Sequence, residues 1–67
     1  MTNELTIEDR VDNGDGTISC VGYFRQIEDD GVTIDWGVRA HYIFPDTMTD
    51  DDIIIYLKNN DFKQYYP

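Results

Sequence analysis

Sixty-seven residues allow a single domain, spanning 1–67, and a formal net charge of −9 weighs against direct binding to DNA, RNA or an anionic membrane. A chain of this size buries only about 60% of the surface its unfolded form exposes. An enclosed catalytic pocket is therefore excluded on volume, and a protein partner or a second copy of the chain would add to a thin stability margin.

The segment Met1-Thr2-Asn3-Glu4 lacks the basic start and apolar run of a signal peptide, and no stretch is apolar for long enough to span a bilayer. Cys20 stands alone, which rules out an internal disulfide and predicts a buried thiol in a reducing, cytoplasmic setting, the host cytoplasm if the chain is viral. The first strand covers Leu5 to Val11, with Leu5, Ile7 and Val11 predicted on one side and Asp9 as a misfit that marks a bulge or a frayed edge. Asn13-Gly14 then signals a two-residue hairpin, because a type I′ turn needs positive φ at both central residues. The second strand runs from Thr17 to Ile27. Glu28-Asp29-Asp30-Gly31 follows, suited to a turn closed by a left-handed Gly31.

From Val32 to Phe44 every even-numbered residue is apolar, a period of two that predicts a long strand with one face buried. The two turns set a register in which Ile7 faces Cys20, Cys20 faces Ala40 and Phe24 faces Trp36. Both place the apolar sets on the same side of the sheet, so turn chemistry and hydrophobic pattern agree. Phe44-Pro45-Asp46 ends the strand. Thr49 is the predicted N-cap of a helix, with Asp50, Asp51 and Asp52 in its first turn, capping-box spacing from Thr49 to Asp52, and Met48 and Ile53 at staple positions. Ile53, Ile54 and Leu57 form its buried stripe and Asn60 its left-handed stop. The tail from Asp61 to Pro67 carries three aromatics and is predicted to fold back onto the domain. The fold expected is α+β: a three-stranded antiparallel β-meander with one C-terminal α-helix packed on one face, βββα.

Motifs for chemistry are weak. Asn13 to Ser19 has the spacing of part of a calcium-binding loop, but the first and twelfth ligand positions would be Val11 and Gly22, where Asp and Glu are needed. Consecutive side chains on a helix diverge by about 100°, so Asp50, Asp51 and Asp52 do not converge on one ion. His41 is the sole histidine and falls on the opposite face from Cys20. No glycine-rich phosphate loop precedes a helix. The chain is read as a non-enzyme with no cofactor and no metal.

The remaining candidate is the open face of the sheet, which gathers Val21, Tyr23, Arg25, Arg39 and His41, with Arg10 beside them. Arg and Tyr are the types enriched at interface hot spots. A purely structural account competes: Arg25 pairs with Asp35, and Tyr23 covers the gap at Gly37. Carboxylates collect elsewhere, at Glu28, Asp29 and Asp30 and at Asp46, Asp50, Asp51 and Asp52, where they could mimic nucleic-acid phosphates toward a basic groove. The sequence thus points to a small acidic protein-binding module, an inhibitor or modulator that covers a partner's surface, of a type that phages and mobile elements use (an analogy of class). Its alternatives are a nucleic-acid-mimicking inhibitor and a small assembly subunit. The expected partner is a host enzyme or a second copy of the chain, with no direct contact to nucleic acid or membrane.

Overall fold

The computed structural model describes every residue, Met1–Pro67. Strands β1 (Thr2–Asp12), β2 (Thr17–Ile27) and β3 (Ile34–Pro45) form one antiparallel sheet in the order β1-β2-β3, followed by helix α1 (Asp50–Asn59) and a single 3-10 turn (Lys63–Tyr65). The βββα architecture is the expected one. No helix is long and apolar enough to cross a membrane.

Both turns are longer than turn propensity alone suggests, because aspartates next to them capture backbone N–H groups. In the first, Asn13 N–H donates to Thr17 O, while Asp12 accepts from Gly14 N–H and Asp15 accepts from Thr17 N–H. The loop is therefore Gly14-Asp15-Gly16, with both glycines at positive φ (77° and 91°), rather than the two-residue Asn13-Gly14. In the second, Glu28 N–H donates to Thr33 O and Asp30 accepts from Val32 and Thr33 N–H. Gly31 is left-handed as expected (φ 74°), but Val32 belongs to the loop and β3 begins at Ile34.

Next to the turns the slips are odd, three residues at Val11–Ser19 and one at Ile27–Ile34, and a bulge in each pair, at Asp9 in β1 and at Asp35 in β3, brings the register beyond it to a difference of two from the expected one. Ile7 faces Gly22, Cys20 faces Tyr42 and Phe24 faces Val38. A slip of two leaves every side chain on its original face, since sheet side chains repeat every two residues. Even-numbered residues of β2, and those of β3 from Trp36 onward, therefore still point inward: Ile18, Cys20 and Phe24 are buried, and Trp36, Ala40, Tyr42 and Phe44 are partly buried, whereas Ile34, beyond the bulge, pairs with Ile27 of the open face.

Asp9 is the bulge, at φ 53°, and the β1–β2 register shifts between Glu8 and Val11. Beyond it the faces of β1 exchange. Arg10, expected on the open face, turns to the helix side, where it donates to Asp50 Oδ1 at 2.7 Å and to the Met48 carbonyl at 2.8 Å. Val11, expected inside, pairs with Ser19 on the open face and is 56% exposed.

Helix α1 starts as its sequence dictates: Thr49 caps it and forms the full capping box with Asp52. Ile53 and Leu57 carry its burial, and Met48 packs against the same core. Its end differs from expectation. Asn60 is not left-handed (φ −127°); its side chain instead donates to the Tyr56 carbonyl at 2.7 Å, satisfying one of the terminal acceptors.

Length explains where the core lies. The 12 residues of β3 extend about 40 Å, whereas the 10 residues of α1 rise only about 15 Å. One helix cannot roof the sheet. The C-terminal tail covers what it leaves: the Phe24 ring stacks on Phe62 (centroids 4.8 Å apart) and Tyr65 (4.7 Å), with Trp36 tilted against it at 5.3 Å. The other face of the sheet has no layer over it.

Candidate functional site: the open sheet face

The open face is organised around Tyr23. The register places Thr6, Tyr23 and Arg39 in one cross-strand row, Glu4, Arg25 and Gly37 in the next, and Glu8, Val21 and His41 on the other side. Gly37 has no side chain to fill its row. A Cβ there would sit 2.9 Å from Tyr23 Cε1, so the Tyr23 ring lies over this glycine. Flanking the ring are two guanidinium groups, Arg39 with Cζ 3.8 Å from the centroid and Arg25 at 4.9 Å.

Each arginine is held from β1. Arg25 Nη2 lies 2.6 Å from Glu4 Oε2 and its Nη1 donates to Thr6 Oγ1 at 3.2 Å. Arg39 Nε donates to Glu8 Oε1 at 3.1 Å. Cation–π contacts at exposed sites contribute about 0.5–1 kcal/mol each, and exposed ion pairs about 0–1 kcal/mol. Together they are enough to fix rotamers but contribute little to folding. Arg25 is the more enclosed of the two. Arg39 is half exposed and uses one of its donors, which leaves its terminal nitrogens without a protein acceptor.

The predicted members separate on inspection. Tyr23, Arg25 and Arg39 form one stack. His41 is exposed beside it and makes no side-chain hydrogen bond. Val21, between Glu8 and His41 in its row, is only 6% exposed; it supports the face and does not present itself. The Arg25–Asp35 pair expected from the sequence is absent, because the two-residue slip puts Gly37 opposite Arg25. Three residues not singled out earlier belong to the site: Glu4, Thr6 and Glu8, whose polar alternation along β1 was the available signal. Val11 and Ile43 extend the face at one end, flanking Ser19 from β1 and β3, Ile43 being 70% exposed.

The acidic residues lie at both ends of the sheet. Glu28, Asp29 and Asp30 precede β3, and Asp46 and Asp50–Asp52 follow it, so the length of that strand, about 40 Å, separates them. Four of the seven are engaged. Asp50 takes Arg10, Asp52 closes the capping box, Asp29 holds the N-terminal amine at 2.6 Å, and Asp30 binds Val32 and Thr33. Glu28, Asp46 and Asp51 make no side-chain bond. Local structure thus accounts for most of the carboxylates, and they do not converge on one surface. No group of three or more His, Cys, Asp or Glu side chains is placed to hold a metal ion. Cys20 is buried beneath α1, which raises its thiol pKa, and it lies on the opposite face from His41.

The turn carboxylates predict acid sensitivity. The Thr33 hydroxyl, then the Val32 and Thr33 N–H groups, hold Asp30 below its ordinary 3.8, and the Thr17 hydroxyl and N–H do the same for Asp15. A folded pKa below the unfolded one means stability that is present above pH 3.8 and lost as pH falls through the folded value. Urea midpoints followed between about pH 4 and pH 2 should fall more steeply for the wild type than for the D15A/D30A variant. Parallel curves would contradict this.

No known protein family matches the chain, and neither curated proteins nor solved structures give a match.

Proposed function

We propose that this chain is a non-enzymatic protein-binding module that lays the open face of its sheet against a partner protein and blocks or modulates it. The observation that supports the reading is the Arg25–Tyr23–Arg39 stack, fixed by Glu4 and Glu8 on a face that nothing else in the chain covers. Side chains already held in one rotamer lose little entropy on binding. Arg39 offers free donors to a partner carboxylate, and Val11 and Ile43 offer apolar area at one end of the same face. The acidic ends of the sheet favour a partner whose carboxylate patch is bordered by basic groups.

The test is the Y23A/R39A variant. Its circular dichroism should match the wild type, because both side chains lie outside the core. Affinity for a partner captured by the wild type should fall at least tenfold, the size expected when central Tyr and Arg anchors are removed. Unchanged affinity would reject the open face as the contact surface.

A further inference from the structure

We infer that Asn13 is a site of self-modification. When the first turn opens, the Gly14 nitrogen attacks the Asn13 side chain and expels ammonia, whereas a latch of hydrogen bonds holds the reaction back while the turn is closed. The site lies in the turn between β1 and β2 and stands whatever protein the open face meets.

The reaction needs an asparagine whose next residue leaves its backbone nitrogen accessible. Asn13 is the only asparagine followed by glycine; Asn3, Asn59 and Asn60 precede Glu4, Asn60 and Asp61, whose side chains crowd the approach. Without a Cβ, Gly14 also reaches the backbone conformations that ring closure requires. In the step itself Gly14 N gives its proton to solvent base and bonds to Asn13 Cγ, while the Cγ–Nδ2 bond breaks and Nδ2 leaves as ammonia with a proton from solvent. Water then opens the cyclic imide at either carbonyl, giving aspartate or isoaspartate. Asp15-Gly16 and Asp30-Gly31 share the glycine but not the chemistry. An ionised carboxylate is a poor electrophile, and both side chains are bound within their turns, Asp15 by Thr17 and Asp30 by Val32 and Thr33.

In the closed turn both reacting groups are occupied. Gly14 N–H donates to Asp12 Oδ1 at 2.8 Å. A carboxylate is far too weak a base to remove an amide proton, so this bond restrains the nitrogen and does not activate it. The Asn13 amide is held by β2: Nδ2 donates to Thr17 Oγ1 at 3.1 Å and to Ser19 Oγ at 3.0 Å, and the Ser19 hydroxyl donates to Oδ1 at 3.2 Å. Turning Cγ onto the Gly14 nitrogen breaks these bonds together. The latch is nonetheless unroofed. A Cβ at Gly14 or Gly16 would meet nothing within 4 Å, so no packing resists local opening. Conversion runs one way. The product carboxylate has no proton to donate to Thr17 or Ser19, and the isoaspartyl form adds a methylene to the backbone. Its new negative charge stands by Ser19, at the end of the open face where Val11 and Ile43 are exposed.

The test incubates the full chain at physiological temperature and pH and follows amide-to-acid conversion by intact mass. Peptide mapping places the change and separates aspartate from isoaspartate, and circular dichroism confirms folding. The wild type should convert slowly, at Asn13. S19A and D12A each remove part of the latch at positions outside the core, so both should fold. Each should convert about threefold faster or more, the rise in open turn expected on losing one or two exposed hydrogen bonds. In guanidinium chloride all three chains should convert at nearly one rate, faster than the folded wild type, because the latch is gone. N13Q should stay unconverted, since the longer side chain closes its ring poorly. A folded wild type that converts as fast as the denatured chain, S19A and D12A variants that convert no faster than the wild type, conversion mapped to another asparagine, or no conversion in denaturant would overturn the inference. None of these outcomes bears on binding by the Y23A/R39A variant, so the two proposals fail separately.

Discussion

Replacing Phe24 with alanine is expected to leave the domain largely unfolded at room temperature. The side chain is fully buried, and four aromatic rings surround it: Phe62, Tyr65, Trp36 and, edge-on at 6.1 Å, Tyr66. Truncating a buried phenylalanine costs about 3–5 kcal/mol, part of it for the cavity left behind. At about 0.05–0.15 kcal/mol per residue the entire stability of 67 residues is roughly 3–10 kcal/mol. The neighbours cannot close the gap, because Trp36 is fixed by an indole N–H bond to Gln26 and Phe62 by its N–H bond to the Leu57 carbonyl. Urea unfolding followed by Trp36 fluorescence gives the readout. The contrasting substitution is Val38→Ala, opposite Phe24 on β3 but 41% exposed, which should cost under about 1 kcal/mol. Similar losses in the two variants would mean that the core does not centre on Phe24.

How far the sequence reached depends on which physical signal was read. Of the alternation read from Val32 to Phe44, the part from Trp36 onward stands as expected, as does the Thr49 capping box, while Val32 falls in the loop and Asp35 is a bulge. Register was legible only modulo two. The pattern states which face a residue takes, whereas turn length states which residue it meets, and Asp12, Asp15 and Asp30 lengthened the turns by capturing N–H groups. Face assignment survived because the bulges at Asp9 and Asp35 made each slip even, but the pairings did not. Arg25 lost Asp35 and gained Glu4, and Tyr23 came to lie beside Arg39 and over Gly37. The bulge at Asp9 was visible as a misfit, yet its consequence was not, because the exchange of Arg10 and Val11 between faces follows from where the extra residue sits. Burial of Val21 on a face with no covering layer is a feature that no periodicity reports.

The tail is the element whose role the sequence left most open, and it provides the second large effect. Phe62→Ala is expected to cost about 3–5 kcal/mol, comparable to Phe24→Ala, although the residue lies outside every strand and the helix. Phe62 is buried against the Phe24 ring and is the part of the tail that closes the end of the core α1 does not reach. The backbone around it is anchored, Phe62 N–H to Leu57 O at 2.9 Å and Tyr65 N–H to Phe62 O at 3.0 Å, so the loss falls on packing rather than on a loop that can adapt. The same segment holds the opposite case. Tyr66 Oη is buried with no hydrogen-bond partner, while Lys58 Nζ sits over the ring at 4.9 Å. An unsatisfied buried hydroxyl costs about 1–3 kcal/mol, and Tyr66→Phe removes it while keeping the ring and its contacts. That variant should unfold at a higher urea concentration than the wild type. If Phe62→Ala were silent, or Tyr66→Phe destabilising, the tail would not be the second half of the roof over the sheet.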